Sequence, residues 1–234
     1  MFQSRLLGQA RHLKIVYSLI GISLLVLLAV PAVAEADLLL YLPGTGVVQA
    51  DLLDIETFDD EADWERYSNP LGVELGVENG VYRAFTMNAG YVWGLNEQQH
   101  EDVLLEVEVT PLTVYFENAF GVMCRADTTN NGDGYYFMIN GNGYYSIRMG
   151  QGDEVLPLVE WRRSNAIHRE LDRNVIRALC VDDYLALYVN DELLAVVTDD
   201  TYNAGYSGLS VAAASNTDVD VAFDNLAIYA VTQP

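Results

Sequence analysis

The stretch "GDGYYFMINGNGYYSIRM", residues 132–149, decides the fold class of this chain. Two apolar runs flank "NGNG", and Asn and Gly tolerate the positive φ angles that tight hairpin turns need. Side chains in a strand alternate between two faces, so the stretch predicts a β-hairpin with one purely apolar face that belongs in a core. That face consists of Tyr135, Phe137, Ile139, Tyr145, Ile147 and Met149.

The opposite face of this predicted hairpin is mixed and is the first candidate ligand surface. It carries Tyr136, Tyr144 and Arg148. Aromatic rings pack on the apolar faces of sugars, and polar neighbours fix the hydroxyl groups. Arg125 has the phase to join this face, and Trp93 lies in the Gly-flanked segment "GYVWGLN". These five residues form the predicted carbohydrate-binding set, and the alternative is that they simply cover a solvated sheet.

The remainder of the domain, residues 55–231, also alternates with the period of strands. "LLEVEVTP", "FGVMCR", "YLALYVND" and "VDVAFDNLAIY" each place apolar residues on one face, and Gly, Asn or Asp lie between such runs. Helical periodicity is nearly absent, and its best candidate is the short polar segment "WRRSNAIHRELDRN". This pattern predicts an all-β domain, an antiparallel sandwich or jelly roll.

The charge of the chain is strongly unbalanced. The 234 residues include 12 Lys+Arg and 34 Asp+Glu, which gives a net charge of −22. Such a surface repels phosphate backbones, so nucleic acid is excluded as a partner. Solubility is the simplest role for this charge, with cation binding and adaptation to high salt as alternatives.

The N-terminal segment, residues 1–34, predicts an export signal or a signal-anchor helix. A basic stretch precedes the apolar run "IVYSLIGISLLVLLAVPAVA", which ends in the small-x-small site "AVA". The run is also long enough to span a bilayer if it is not cleaved. Either outcome places the domain outside the cytoplasm, secreted or anchored at the cell surface. Residues 35–54, broken by "PGTG", are predicted to be a spacer.

Cys124 and Cys180 are the two cysteines of the chain. In an exported protein two cysteines more often pair than stay free, and the alternative is two buried thiols. A catalytic cysteine is disfavoured because no histidine lies in a recognisable partner motif.

The order of several motifs resembles the concanavalin A-like, laminin-G-like jelly-roll domains of bacterial exported proteins, including the group related to the 3-keto-disaccharide hydrolases. The matching segments span nearly all of residues 55–229. They are "TFDDEADW", "EDVLLEVEVTP", "FGVMCRAD", "DGYYFMINGNGYYSI", "VIRALCVDDYLALYVNDELLAVVTD", "GYSGLSV" and "VAFDNLAIY". The resemblance implies the fold more than the function, because this fold hosts lectins, glycosidases and adhesion modules.

The same resemblance has consequences for the disulfide and for metal binding. It implies that the two cysteines lie on neighbouring strands, which supports a Cys124–Cys180 disulfide. It also implies that the first and last strands pair, which would bring Asp59 and Asp60 toward Asp224, where some jelly rolls hold a structural calcium ion.

A second, looser calcium site is possible in the loop before the hairpin, at Asp127, Asn130 and Asp133. An EF-hand is excluded there because Met138 occupies the position of the bidentate glutamate. At both sites, the alternative is that these side chains cap turns.

Three functions follow from these observations. The first is a non-catalytic extracytoplasmic binding module, with carbohydrate or another protein as partner. The second is a glycoside hydrolase of the 3-keto-disaccharide type. Hydrolysis needs two facing carboxylates, but Glu106 and Glu108 look like the solvated side of a strand. The third is a membrane-tethered structural subunit of a larger complex. Five arginines in one segment are candidate contacts for an acidic glycan or partner, or neutralise nearby carboxylates: Arg162, Arg163, Arg169, Arg173 and Arg177.

Overall fold

The computed structural model of the chain describes residues 38–42, 46–59, 64–127, 129 and 131–232. Within these ranges the chain forms strands and turns and contains no helix. The predicted N-terminal signal or anchor helix, residues 1–34, lies outside the described residues. None of the described ranges holds a helix long and apolar enough to cross a membrane.

Sixteen strands make up the described part of the domain, and all their pairings are antiparallel. This confirms the all-β prediction. The strands are β1 (Leu38–Leu42), β2 (Gly46–Glu56), β3 (Tyr67–Asn69), β4 (Val73–Glu78), β5 (Val81–Thr86), β6 (Gly90–His100), β7 (Val103–Pro111), β8 (Ala119–Ala126), β9 (Gly134–Asn140), β10 (Tyr144–Gln151), β11 (Glu154–Arg163), β12 (Asn174–Val181), β13 (Tyr184–Val189), β14 (Glu192–Thr198), β15 (Gly205–Ala213) and β16 (Val219–Thr232).

The strands form two sheets. One has six strands in the order β11-β10-β9-β8-β15-β6. The other has ten strands, with a central path β14-β13-β12-β7-β16-β5-β4-β3, and β2 and β1 are added beside β16. Apolar side chains on the facing sides of the two sheets form one continuous core, so the domain is an antiparallel β-sandwich.

The predicted hairpin is β9 and β10, with Ile139 opposite Tyr145 and Phe137 opposite Ile147. All six residues of its predicted apolar face lie in the core between the sheets. The segment "WRRSNAIHRELDRN", the best helical candidate, ends β11 and continues as a loop.

A disulfide joins the two sheets through the core. Cys124 on β8 and Cys180 on β12 are fully buried and bonded, with their Cα atoms 6.8 Å apart. The predicted pairing is therefore confirmed. The two strands belong to opposite sheets, however, so the bond crosses the sandwich rather than joining neighbours within one sheet.

The prediction of a spacer at residues 35–54 is wrong for the described residues of this segment, because they form β1 and most of β2. These strands pair with each other, and β2 continues beside β16 with Leu226 opposite Glu56. Val48 and Ala50 of β2 are buried against a second apolar cluster on the outer face of the ten-stranded sheet. Burial of this face explains why the segment is a strand rather than a free linker. β2 pairs with the last strand, as the resemblance implied for the first strand, but it ends at Glu56, before Asp59.

Candidate functional site

The outer face of the six-stranded sheet carries an aromatic cluster. Alternation along β6 directs Tyr91 and Trp93 outward, and alternation along β9 does the same for Tyr136 and Met138. On the two strands between β6 and β9, small residues lie in the row from Trp93 to Met138. Ser210 of β15 is opposite Trp93, and Gly121 of β8 is opposite both Ser210 and Met138. Large rings from both sides therefore have room to meet over the middle of the sheet.

The cluster surrounds a depression of about 450 Å³, called here the aromatic depression. Its size falls within the range of small-ligand sites in proteins, about 300–1,000 Å³. Three separate segments of the chain contribute to it. The lining residues are Gly90, Tyr91, Trp93, Asn131, Gly132, Tyr136, Gly152, Asp153 and Val155.

Tyr136 forms the buried floor of the aromatic depression. Its side chain is fully buried, its hydroxyl donates to the Gly132 carbonyl at 2.7 Å, and its ring meets that of Tyr91 edge-on at 5.2 Å. Burial, with a smaller contribution from Tyr91, raises the pKa of Tyr136. The phenol therefore stays a neutral hydrogen-bond donor.

The walls of the depression are Tyr91 and Trp93, both half-buried. Burial raises the pKa of Tyr91, and the positive charge of Arg148 offsets part of that rise. The indole of Trp93 lies so close to Gly132 that a Cβ atom there would stand 2.8 Å from a ring carbon. Glycine at this position, which also has φ +93°, lets the ring lie against the loop.

Two loops supply the polar rim. The Asp133 carboxylate accepts a hydrogen bond from the Gly152 N–H at 2.6 Å, which ties the β8–β9 loop to the β10–β11 turn. The Asp133 N–H in turn donates to the Asn131 side chain at 2.9 Å. Asn131 and Asp153, both exposed, are thereby held at the same edge of the depression. This edge can accept hydrogen bonds from the hydroxyl groups of a ligand.

Arg148 lies behind this rim instead of lining it. Its Nη2 donates to the Val155 carbonyl at 3.0 Å, and Nη1 lies 3.5 Å from the Ser146 hydroxyl. Its Nε is buried and has no hydrogen-bond partner within the described residues. Arg148 thus supports the start of β11, which carries Val155 into the depression.

The structure separates the five predicted ligand residues. It brings Trp93 and Tyr136 together in one depression with Arg148 adjacent. Tyr144 is 38% exposed at the start of β10, opposite Arg163, and does not line the aromatic depression. Its predicted role in binding stays a prediction.

Arg125 is a correction to the predicted set. Its side chain is 1% exposed, and its guanidinium donates to the carbonyls of Glu101, Asp182 and Tyr202 and to the Asp102 carboxylate, at distances of 2.6–3.0 Å. A side chain buried and bonded in this way joins three loops and does not reach a ligand. The reason is local: Arg125 has φ +52°, and strand pairing is irregular beside it, between Tyr206 and Gly208 of β15.

Three residues of the site were missed by the sequence analysis: Tyr91, Asn131 and Asp153. Tyr91 could have been predicted from the sequence, since it stands two positions before Trp93 and residues two apart in a strand share a face. Asn131 and Asp153 had none, because only the folded structure brings their loops together.

The calcium predictions stay untested, and the described carboxylates take part in local bonds. Asp59 accepts a hydrogen bond from the Thr57 hydroxyl at 3.0 Å, and Asp224 accepts one from the Asn225 N–H at 2.7 Å. In the described ranges, no three His, Cys, Asp or Glu side chains converge as metal ligands do. Asp60 and Asn130, named for the two predicted sites, lie outside those ranges.

In the loop site, Asp127 accepts from the Thr129 N–H at 2.5 Å and Asp133 from that of Gly152. The predicted solvated carboxylates of β7 form ion pairs on the outer face of the ten-stranded sheet, Glu106 with Arg177 and Glu108 with Arg173. These two arginines therefore neutralise acidic neighbours.

Comparison with solved structures identifies the fold. The carbohydrate-binding module CBM66 from Bacillus subtilis superposes with a TM-score of 0.59 at 14% identity, covering 74% of this chain and 98% of the module. A β-glucanase of Bacillus licheniformis gives 0.56 at 10% identity, covering 77% and 98%. A Bacillus subtilis protein of unknown function with a galectin-like fold gives 0.58 at 9% identity, covering 79% and 98%.

The fold is therefore the concanavalin-like jelly-roll β-sandwich. Identities this low establish fold and not activity. No protein-family profile matches the chain, and no curated protein matches its sequence. The predicted relation to the 3-keto-disaccharide hydrolase group stays a prediction.

Proposed function

We propose that this domain is a non-catalytic carbohydrate-binding module that acts outside the cytoplasm and holds a glycan in the aromatic depression. The observation that carries the proposal is the combination of two half-buried aromatic walls, Tyr91 and Trp93, with the polar rim residues Asn131 and Asp153. Flat apolar walls fit the C–H faces of a sugar ring, and the rim offers partners for its hydroxyl groups.

The fold supports this proposal at a general level, since its structural neighbours include a carbohydrate-binding module and a glucanase. The disulfide supports location outside the cytoplasm, because such bonds persist in oxidising compartments. It agrees with the export signal or anchor predicted for residues 1–34, which would leave the domain secreted or tethered.

Binding is favoured over hydrolysis by the carboxylates of the site. Asp153 is the one carboxylate among the described lining residues of the aromatic depression. Hydrolysis of glycosides ordinarily uses two carboxyl groups across the scissile bond, about 5–9.5 Å apart. The depression therefore has the walls of a glycan site without the usual catalytic pair.

The test is a glycan array followed by affinity electrophoresis in gels containing a mixed-linkage β-glucan, a xylan or a galactan. Trp93→Ala removes one wall and is expected to weaken binding at least about tenfold, as for a central aromatic contact. Tyr115→Ala is the matched control, since Tyr115 is 41% exposed in the β7–β8 loop and does not line the depression. No glycan bound, or full binding by folded Trp93→Ala protein, contradicts the proposal.

A further inference from the structure

The aromatic depression lies at the edge of its sheet. Strand β6, which carries Tyr91 and Trp93, is the last strand of the six-stranded sheet. The same two side chains also line a second depression of about 310 Å³ on the far side of β6. Its other wall comes from the ten-stranded sheet and includes Tyr67 and Leu75. Tyr91 and Trp93 therefore divide two depressions rather than closing one.

A third depression, of about 630 Å³, adjoins the second through Glu65, which lines both. It also includes Glu97 of β6 and Tyr206 of β15. Each of the three has the volume of a separate small-ligand site, about 300 Å³ or more. Shared lining residues connect them into a single series around the edge strand.

From this continuity we infer that the ligand is an internal stretch of an uncharged polysaccharide that crosses β6 and occupies the aromatic and second depressions together. This inference rests on the proposed carbohydrate-binding function and adds the chain length and charge of the ligand. A single sugar unit would contact Tyr91 and Trp93 from one side only, whereas an extended chain contacts aromatic groups on both sides.

Tyr67 is the residue that extends the series. It is 46% exposed and lines the second depression but not the aromatic one. The Asn69 side chain donates to its hydroxyl at 3.1 Å, which holds the ring against the end of β3. The ring is thus placed to pack on a sugar unit beyond the edge strand.

The charges near the series favour an uncharged chain. Glu65, Glu97 and Asp153 line the three depressions, where Arg66 is the one cationic side chain among the described lining residues, and the whole sequence carries a net charge of −22. A uronate or sulfate chain would meet this field with repulsion along its length. Neutral hydroxyl groups, by contrast, donate hydrogen bonds to carboxylates.

A peptide added as a further strand is the competing occupant of an exposed edge. At this edge the backbone near Leu95 is already engaged. Its carbonyl accepts from the Glu65 N–H at 3.0 Å, and its N–H lies 3.4 Å from the Glu65 carboxylate. An isolated bridge also joins Asn96 to Trp64. These bonds block strand addition along the middle of β6.

The test measures affinity against ligand length by isothermal titration calorimetry. The probes are oligosaccharides, from disaccharide to hexasaccharide, cut from the neutral polysaccharide that the wild-type protein binds best in gels. Affinity is expected to rise at least about fivefold beyond the disaccharide and then to level off. Equal affinity for all lengths overturns the inference and leaves the proposed function standing.

Two variants distinguish the inference of an extended ligand from the proposed carbohydrate-binding function. Tyr67→Ala is expected to weaken the hexasaccharide at least about fivefold and to leave the disaccharide unchanged. Tyr67→Phe keeps the ring but loses the hydrogen bond from Asn69, so it should weaken the hexasaccharide less than Tyr67→Ala does. Trp93→Ala weakens both probes. Full hexasaccharide binding by folded Tyr67→Ala contradicts the inference alone, and full binding by folded Trp93→Ala contradicts the proposed function.

The charge assignment has its own control. Alginate and heparin, both polyanions, are expected to cause no retardation in affinity gels at low salt. Preference for either one over the neutral polysaccharides overturns the assignment of an uncharged ligand. If no polysaccharide retards the protein, the proposed function fails and the inference fails with it.

Discussion

Replacing Arg125 by methionine should destabilise the domain by about 3 kcal/mol without changing its binding of glycans. The guanidinium makes four hydrogen bonds, and bonds to a charged group contribute about 1.5–3 kcal/mol each. The loss is smaller than their sum because Glu101 and Asp182 are exposed, so water can replace the lost donors. Methionine fills the hydrocarbon part of the space, and the positive φ at this position is unfavourable to both side chains.

The assay is urea unfolding at neutral pH, followed by tryptophan fluorescence with the disulfide intact. For a slope of about 2 kcal/mol/M, a loss of about 3 kcal/mol lowers the midpoint by about 1.5 M. Arg125→Lys keeps the charge but has fewer donors in a fixed geometry, so it should lose an intermediate amount. Arg162→Met is the matched control, since Arg162 is exposed on β11.

A loss below about 1 kcal/mol for Arg125→Met would refute the assignment of this residue to a structural junction. Loss of glycan affinity in the folded variant would also refute the structural assignment. It would show that Arg125 contacts the ligand, as its position in the strand alternation predicted. Binding must therefore be measured at a temperature where the variant is fully folded by circular dichroism.

Three further predictions concern the core, the loops and the site. Reduction of the Cys124–Cys180 bond, which spans 56 residues, should cost about 4 kcal/mol in the loop-entropy account, measured by urea unfolding with and without reductant. Burial alone would raise the pKa of Asp199, but hydrogen bonds from Tyr135 and Thr201 outweigh it and hold the pKa below its ordinary value of 3.8. This stabilisation is present above about pH 4 and is lost as the pH falls through the folded-state pKa. The difference in the free energy of unfolding between wild type and Tyr135→Phe, measured in urea, should therefore become smaller at lower pH. Gly132→Ala should displace the neighbouring indole. It should reduce the free energy of glycan binding, measured in the affinity gels, by more than it reduces the free energy of unfolding, measured in urea.

The sequence predicted the hairpin correctly because alternation and turn residues are local properties. Tyr135, Phe137 and Ile139 had to share a face, and an apolar face of that size belongs in a core. The disulfide was also predictable, since two cysteines lay in strand-like runs of a chain with an export signal pattern. These inferences needed no knowledge of which strands are neighbours.

The first two strands were missed for a different reason. Their buried residues, such as Val48 and Ala50, pack on the outer face of a sheet whose inner face already closes the main core. A sign was present in β7 and β12, where Leu104 and Leu179 are outward-facing and apolar. An apolar residue on both faces of a strand indicates that a further element covers it.

The candidate site could be predicted only in part, because it is assembled from segments far apart in sequence. Trp93, Tyr136 and Asp153 meet only because β6 and β9 belong to the same sheet and the β10–β11 turn folds over their end. Strand alternation predicts the face of the sheet on which a side chain lies, but not which loops or rings cover it. Arg125 and Tyr136 both point outward by phase, and both are buried by neighbouring loops and rings.

Whether an outward-facing side chain is buried or exposed determines which substitutions can test function. Tyr136 is wholly buried and bonded to the Gly132 carbonyl, so replacing it alters the loop as well as any ligand contact. Trp93 and Tyr67 retain exposed ring surface, and their loss changes the depressions with less effect on the core. A selective loss of glycan affinity at these two positions, with the unfolding midpoint nearly unchanged, is therefore the result that a structural role alone would not produce.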